Sequence, residues 1–271
     1  MGKSKQVIVI GAGFAGLSAA ALIAKAGYQV TIFEKNDQAG GRARIWEKND
    51  FRFDMGPSWY WMPDVFENYF SLFGKKVSDF YQLKRLDPGY RIYFGRDDQL
   101  AIPAGMPQLE ALFEKIEPGS ALQLRKFLKQ AAYKYQAGMR QYAYKPSHSV
   151  TEYFDLRLLK ASVDMQLLTS MSRHVRQYFR HPKLVKLLEF PVLFLGATPQ
   201  KTPAMYSMMN HADLVLGTWY PMGGMYQVVH AMTEIARELG VTFNLDTEVT
   251  GINVQNGRAT TISTNRGDLY A

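Results

Sequence analysis

The sequence predicts an α/β fold: strand, tight turn, helix and strand at the start, a mainly helical insertion, and a return to β patterning at the end. Three observations carry this. Val7-Ile8-Val9-Ile10 is a continuous β-branched run, the pattern of a parallel strand buried on both faces. The turn Gly11-Ala12-Gly13-Phe14-Ala15-Gly16 follows, with Leu17, Ala20, Ala21 and Ala24 then marking one helical face. Residues from about 107 to 190 read as mostly helical, after which Val241 to Leu245, Glu248 to Val254 and Arg258 to Ser263 read as strands.

Taken in order, Gly27 stops the first helix and Gln29 to Glu34 forms the second strand. A Gly-rich loop, Gly40-Gly41, leads into an aromatic region from Phe51 to Phe73, read as irregular. Arg91-Ile92-Tyr93-Phe94 returns through Gly95-Arg96-Asp97-Asp98 to Leu100-Ala101-Ile102 as a hairpin. Pro118-Gly119-Ser120 breaks the first helix of the insertion, and Ser120 is placed to cap the next. Pro191, Pro199 and Pro203 mark a looser passage. Gly223-Gly224 then opens an amphipathic helix with Met225, Val228, Val229, Met232, Ile235 and Leu239 on one face. Asn256-Gly257 is a hairpin turn signal. The expected division is 1–88 and 221–271 as two segments of one domain, with 89–220 inserted between them.

At 271 residues and 47% apolar composition the chain can build a real core. No stretch reaches the roughly 18 apolar residues that span a bilayer; the longest runs from Phe190 to Ala197. Met1 to Lys5 lead straight into the first strand without the apolar segment of a signal peptide. With no cysteine, disulfides, thiolate nucleophiles and Cys-ligated metals are excluded. The net charge of +8 suits nucleic acid, anionic lipid or solubility alike, so its distribution matters more than its size.

Gly11-x-Gly13-x-x-Gly16 between a strand and a helix is the arrangement that dinucleotide binding demands. The first glycine turns the strand, the second admits a pyrophosphate close to the backbone, and the third lets helix pack on strand. The phosphates then lie over free N–H groups at a helix N-terminus. Glu34 ends the second strand about 20 residues on, where an acid accepts hydrogen bonds from ribose hydroxyls and repels a 2′-phosphate. Lys35 follows it. The second glycine pair with Arg42 suits a loop folded over the diphosphate of an extended FAD, to which Arg42 can donate a charge-assisted bond. Arg44 reads as a surface charge.

Val7 to Arg44, with Phe53-Asp54-Met55-Gly56-Pro57-Ser58-Trp59-Tyr60-Trp61-Met62-Pro63, resembles the carotenoid (phytoene) desaturase family of FAD-dependent, amine-oxidase-like flavoproteins. The resemblance continues through Pro146 to Val150, Leu193 to Gly196, Thr202 to Ser207 and Trp219 to Met225. It implies a Rossmann-like FAD-binding domain with an inserted helical domain for substrate and membrane docking. The implied chemistry is hydride transfer from an allylic C–H of an acyclic carotenoid precursor to flavin. Carried over by motif, Gly11, Ala12, Gly13, Phe14, Ala15, Gly16, Glu34, Lys35, Gly41 and Arg42 hold FAD. Gly56, Pro57, Ser58 and Trp59 lie near the flavin ring, and the Val249 backbone meets adenine. Family members are longer and end with a further FAD segment, so the resemblance implies a C-terminally truncated chain. A C30 desaturase, a carotenoid isomerase, a ketolase and a non-catalytic fragment remain alternatives.

The insertion concentrates cations and aromatic residues: Lys126, Lys129, Lys134 and Arg140, then Arg173, His174, Arg176, Arg180, His181, Lys183 and Lys186, with Tyr133, Tyr135, Tyr142, Tyr144, Tyr178 and Phe179 interleaved. With the family reading, this mixture points to a peripheral membrane surface on the cytoplasmic side, where a lipid-dissolved substrate is reached. No nucleic-acid module is recognisable. The five histidines are read as forming no ligand-like pair with a carboxylate at helical spacing, so no metal site is expected. His148 reads equally as a turn residue. Asp54 beside Gly56-Pro57 reads as a backbone-bonding residue more readily than as a base. Met205, Met208 and Met209 fit core packing or an apolar tunnel. Arg266-Gly267-Asp268 reads as turn chemistry.

Overall fold

The computed structural model describes residues 6–144, 165–267 and 269–270. Pro146 to Val150, with His148, and Asp268 lie outside the described residues. The chain divides into two compact units. One comprises Met1–Tyr60, Asp64–Lys84 and Tyr220–Ala271; the other comprises Trp61–Pro63 and Arg85–Trp219.

The first unit is organised by a parallel three-stranded sheet. Strand β1 (Gln6–Ile10) pairs with β2 (Gln29–Phe33), and β2 pairs on its other edge with Thr242–Asn244. Between β1 and β2 runs helix α1 (Phe14–Lys25), whose Leu17, Ala20 and Ala21 are buried. It packs against the helix Tyr226–Glu238, which buries Val228, Val229, Met232, Ile235 and Ala236. The small side chains of α1 allow that approach, and its larger neighbours fill the core. β1 departs from expectation: Val7 to Val9 are only half-buried and Ile10 is 50% exposed. The reason is its place in the sheet, because β1 has β2 as its sole strand neighbour among the described residues.

The region expected to be irregular contains regular structure. Ile45–Lys48 and Phe51–Asp54 form an antiparallel hairpin, with Trp46 opposite Phe53, and Pro63–Ser71 is a helix. The hairpin turns on Asn49 and Asp50, with φ of 49° and 66°. Two successive residues with positive φ make the turn that suits strand twist, and Asn and Asp tolerate it best after glycine. The tail forms the expected ladder of Val249–Gln255 with Arg258–Thr264, turning at Asn256-Gly257.

In the second unit, the hairpin Tyr90–Tyr93/Gln99–Ile102 precedes helices Met106–Ile116, Ser120–Ala137, Met171–Arg176 and Pro182–Glu189. Its core is aliphatic and aromatic, with Phe113, Phe127 and Phe179 meeting edge to face. Ser120 does not cap its helix. Gly119 is the cap residue, the Ser120 hydroxyl is buried without a partner, and Glu114 accepts from Gly119 N (2.7 Å) and Ala121 N (3.1 Å) instead.

Four of the described residues assigned to a lipid-facing surface are buried. Lys134 (2% exposed) and His174 (0%) lie inside the unit, as does Phe179. The Lys134 ammonium donates to Gln166 Oε1 (2.8 Å), Ala204 O (3.0 Å) and Ser207 Oγ (3.0 Å) and approaches His174 Nε2 at 3.5 Å. Burial lowers the Lys134 pKa to about 8 and that of His174 to about 4. Tyr135 is buried as well, while Arg176 pairs with Glu189 and Lys183 with Asp98. Lys126, Lys129, Arg173, Arg180 and Lys186 remain exposed. Among the described residues no helix is long and apolar enough to cross a membrane.

Candidate functional site

A cavity of about 740 Å³ opens in the first unit at the C-terminal end of β1 and β2. Ligands collect at this end of parallel sheets because strand ends and helix N-termini converge there. Gly11 has φ of +95° and donates its N–H to Phe33 O (2.7 Å), which turns the chain out of β1 into α1. A Cβ on Gly16 would sit 1.9 Å from Gly11 O, so only glycine lets α1 start this close to the strand. Gly13 is the N-cap of α1 and has no side chain to satisfy the first helical N–H groups.

The second glycine loop lies against the first. Gly40 N donates to Ala12 O (2.8 Å), and a Cβ on Gly41 would come within 3.2 Å of Gly13 Cα. Gly56 sits under the Arg42 carbonyl, where a Cβ would be 2.0 Å from the oxygen. Three glycine-bearing segments, far apart in sequence, thus form one wall.

Glu34 is 4% exposed and faces the cavity from the end of β2. Its Oε2 accepts from Ala12 N (2.7 Å), and its Oε1 accepts from Asn36 N (3.0 Å) and from the Asn36 side-chain amide. The loop after Thr242–Asn244 runs beside it: Thr247 N donates to Glu34 O and Asp246 N to Asn36 O, each at 2.9 Å. That places Thr247, Glu248 and Val249 on the cavity wall.

Of the residues singled out from sequence, Gly11, Gly13, Glu34, Lys35, Gly41, Arg42, Gly56 and Val249 line this cavity. Ala12 is fully buried behind it and contributes its N–H, while Gly16 supports the turn. Phe14 packs edge to face on Phe66, and Ala15 is exposed. Pro57 and Ser58 are exposed and Trp59 is half-buried; none of the three is on the cavity wall.

Arg44, read as a surface charge, is half-buried on the wall and donates to Gly41 O (2.9 Å) and Asn36 Oδ1 (2.6 Å). Asn36 carried no sequence signal beyond standing two residues after the acid. Asp54 behaves as a backbone-bonding residue, accepting from Met225 N at 3.0 Å. Contrary to the expectation for the histidines, His230 does stand at helical spacing to a carboxylate, approaching Glu234 at 3.8 Å across one turn of the helix Tyr226–Glu238, because residues four apart share a helix face. Among the described residues no group of three His, Asp or Glu side chains could hold a metal ion.

A separate buried carboxylate lies in the second unit. Asp213 accepts from Tyr90 OH (2.5 Å) and Thr218 Oγ1 (3.2 Å), and Thr218 receives the Trp61 indole N–H (2.8 Å). Burial raises the Asp213 pKa to about 6 and pushes the Tyr90 pKa up.

Comparison with known proteins agrees with this geometry. The chain is 44% identical over 250 residues to a carotenoid 3,4-desaturase of Haloarcula japonica, covering 92% of this chain and 50% of that protein. It is 34% identical over 244 residues to a 4,4′-diapophytoene desaturase of Staphylococcus aureus, covering 90% and 49%. The chain therefore spans about half the length of the curated relatives it matches. A solved putrescine oxidase bound to putrescine superposes with a TM-score of 0.64 at 17% identity, over 98% of this chain and 56% of that one, which supports a shared fold of mixed helices and strands. The family described as flavin containing amine oxidoreductase matches residues 14–270, from the start of α1 to the last strand. With its glycine-walled cavity and that match along nearly its whole length, the chain belongs to the flavin containing amine oxidoreductase family.

Proposed function

We propose that this chain forms the nucleotide-binding part of an FAD-dependent desaturase acting on an acyclic carotenoid such as phytoene. The observation that carries the reading is the cavity that joins Gly11, Gly13, Glu34, Gly41 and Val249 on one wall. The residues fit FAD. The first N–H groups of α1 have no side-chain cap and suit a diphosphate, Glu34 suits a ribose, and the Val249 segment suits adenine. Arg42 is exposed at the cavity and adds a cation toward the phosphates. Bound FAD supplies a hydride acceptor for an allylic C–H bond. The chain orients it through backbone donors and a fixed carboxylate, and no side-chain base is assigned.

The 44% identity to a carotenoid 3,4-desaturase favours a carotenoid over an amine as substrate. The 34% identity to a diapophytoene desaturase supports a C30 substrate as a second reading. For the second unit we propose substrate delivery at a peripheral membrane surface. Leu193, Phe194 and Leu195 are 59%, 56% and 45% exposed, and Lys126, Lys129, Arg173, Arg180 and Lys186 supply exposed cations.

Adding FAD to the purified chain and recording the flavin spectrum tests the cofactor; a flavin that stays fully dialysable refutes it. Expressing the full-length gene beside a phytoene-producing pathway tests the reaction, and unchanged phytoene and diapophytoene would sink both substrate readings. Flotation with anionic lipid vesicles, repeated with Phe194→Asp, tests the surface; equal flotation of both proteins rejects the Leu193–Leu195 contact.

A further inference from the structure

An ionised carboxylate offers about four lone-pair sites, two on each oxygen. At Glu34 three of these are filled by the protein itself. Oε1 takes both Asn36 N (3.0 Å) and the Asn36 side-chain amide, while Oε2 takes Ala12 N (2.7 Å). The Asn36 side chain cannot be turned over, because its neighbours are of opposite charge. Oδ1 faces the Arg44 guanidinium at 2.6 Å and the NH2 faces the carboxylate; the reverse would set oxygen against carboxylate and donor against donor. Arg44 is itself anchored through Nε to Gly41 O (2.9 Å), and the Asn36 carbonyl is held by Asp246 N (2.9 Å). Among the described residues Oε1 is therefore saturated by this network, and Oε2 keeps one free site.

We infer that Asn36 and Arg44 limit Glu34 to a single ribose hydroxyl, so the nucleotide half of the cavity reads one hydroxyl of the adenosine ribose and not the pair. Arg44 acts through Asn36 and the Gly41 loop and is a positioning residue. The inference rests on the adenine-dinucleotide reading above and adds to it which acceptor is available and what withholds the other.

Calorimetric titration of this chain with ADP, 2′-deoxy-ADP and 3′-deoxy-ADP tests it without any loaded flavin. One deoxy analogue is expected to bind about tenfold more weakly than ADP, the value of one hydrogen bond to a charged group, and the other within about twofold. Asn36→Ala releases Oε1, so both analogues should then fall below ADP by similar factors. Arg44→Met should move discrimination the same way, with Arg44→Lys retaining more of it. Equal losses for the two analogues in the unsubstituted chain overturn the inference and leave the dinucleotide reading intact. ADP that fails to bind overturns both.

Discussion

Lys134 is a buried ammonium with no carboxylate partner among the described residues, and its substitution by methionine gives a signed prediction. Its pKa in the folded protein is lowered to about 8 because burial disfavours the charged form, against an ordinary value of 10.5. Between these values the unfolded chain holds a proton that the folded chain has released, so stability rises with pH through this window. Below pH 8 both states are protonated and the stabilising contribution is lost. A gap of about 2.5 units at about 1.4 kcal/mol per unit gives roughly 3 kcal/mol in all. Lys134→Met removes this dependence and leaves three acceptors, of which the Ala204 carbonyl keeps the Ser207 hydroxyl as donor at 2.8 Å. Urea unfolding followed by circular dichroism at pH 7, 8, 9 and 9.5 measures both proteins. The difference should move toward the wild type by about 1.4 kcal/mol per pH unit above pH 8. The buried tyrosines, whose raised pKa values lower stability at higher pH, are common to both proteins and cancel. Parallel curves from pH 7 to 9.5 would refute the reasoning.

On the acid side His174 and Asp213 oppose each other. His174, lowered to about 4, loses stability as pH falls below its ordinary 6.5, whereas Asp213, raised to about 6, gains it as pH falls from 6 toward 3.8. Asp213→Asn should therefore make the melting temperature fall more steeply between pH 6 and 4; an unchanged slope excludes this. Ser120→Ala removes a buried hydroxyl without a partner and should be neutral or stabilising by about 1 kcal/mol in urea unfolding. Glu114→Ala, which removes the groups that cap Gly119 and Ala121, should lower the melting temperature, more at pH 7 than at pH 3 because those bonds hold the carboxyl below its ordinary pKa. Gly16→Ala places a methyl carbon 1.9 Å from Gly11 O and should weaken ADP binding at least about tenfold while leaving the helices of the second unit intact by circular dichroism.

The parts legible in the sequence were those fixed by local pattern. The β1–α1–β2 run, the Asn256-Gly257 turn and the helix Tyr226–Glu238 each follow from a period or a turn residue within a few positions. The hairpin at Asn49-Asp50 was hidden because its aromatic residues Trp46, Phe51 and Phe53 are exposed rather than packed in a core, and its turn lacks glycine. Asn36 and Arg44 were missed for a different reason. Their roles come from contacts with Glu34 and Gly41 that spacing alone does not disclose. Lys134 and His174 looked like surface cations because charge is normally solvated; their burial depends on acceptors as distant as Ala204 and Ser207. Likewise Glu114 took the capping role expected of Ser120, since a long side chain can reach back to the same amides.

The pairing of Thr31 with Thr242 has a consequence for synthesis of the chain. β2 emerges from the ribosome early and must wait for the whole of the second unit before its partner strand Thr242–Asn244 and the Thr247–Val249 wall appear. The helical unit can condense from neighbouring segments meanwhile, whereas the glycine-walled cavity depends on closing one very long loop. Nascent chains arrested before Val249 should therefore already protect the helical core from protease while the Thr247–Val249 wall of the cavity is still missing.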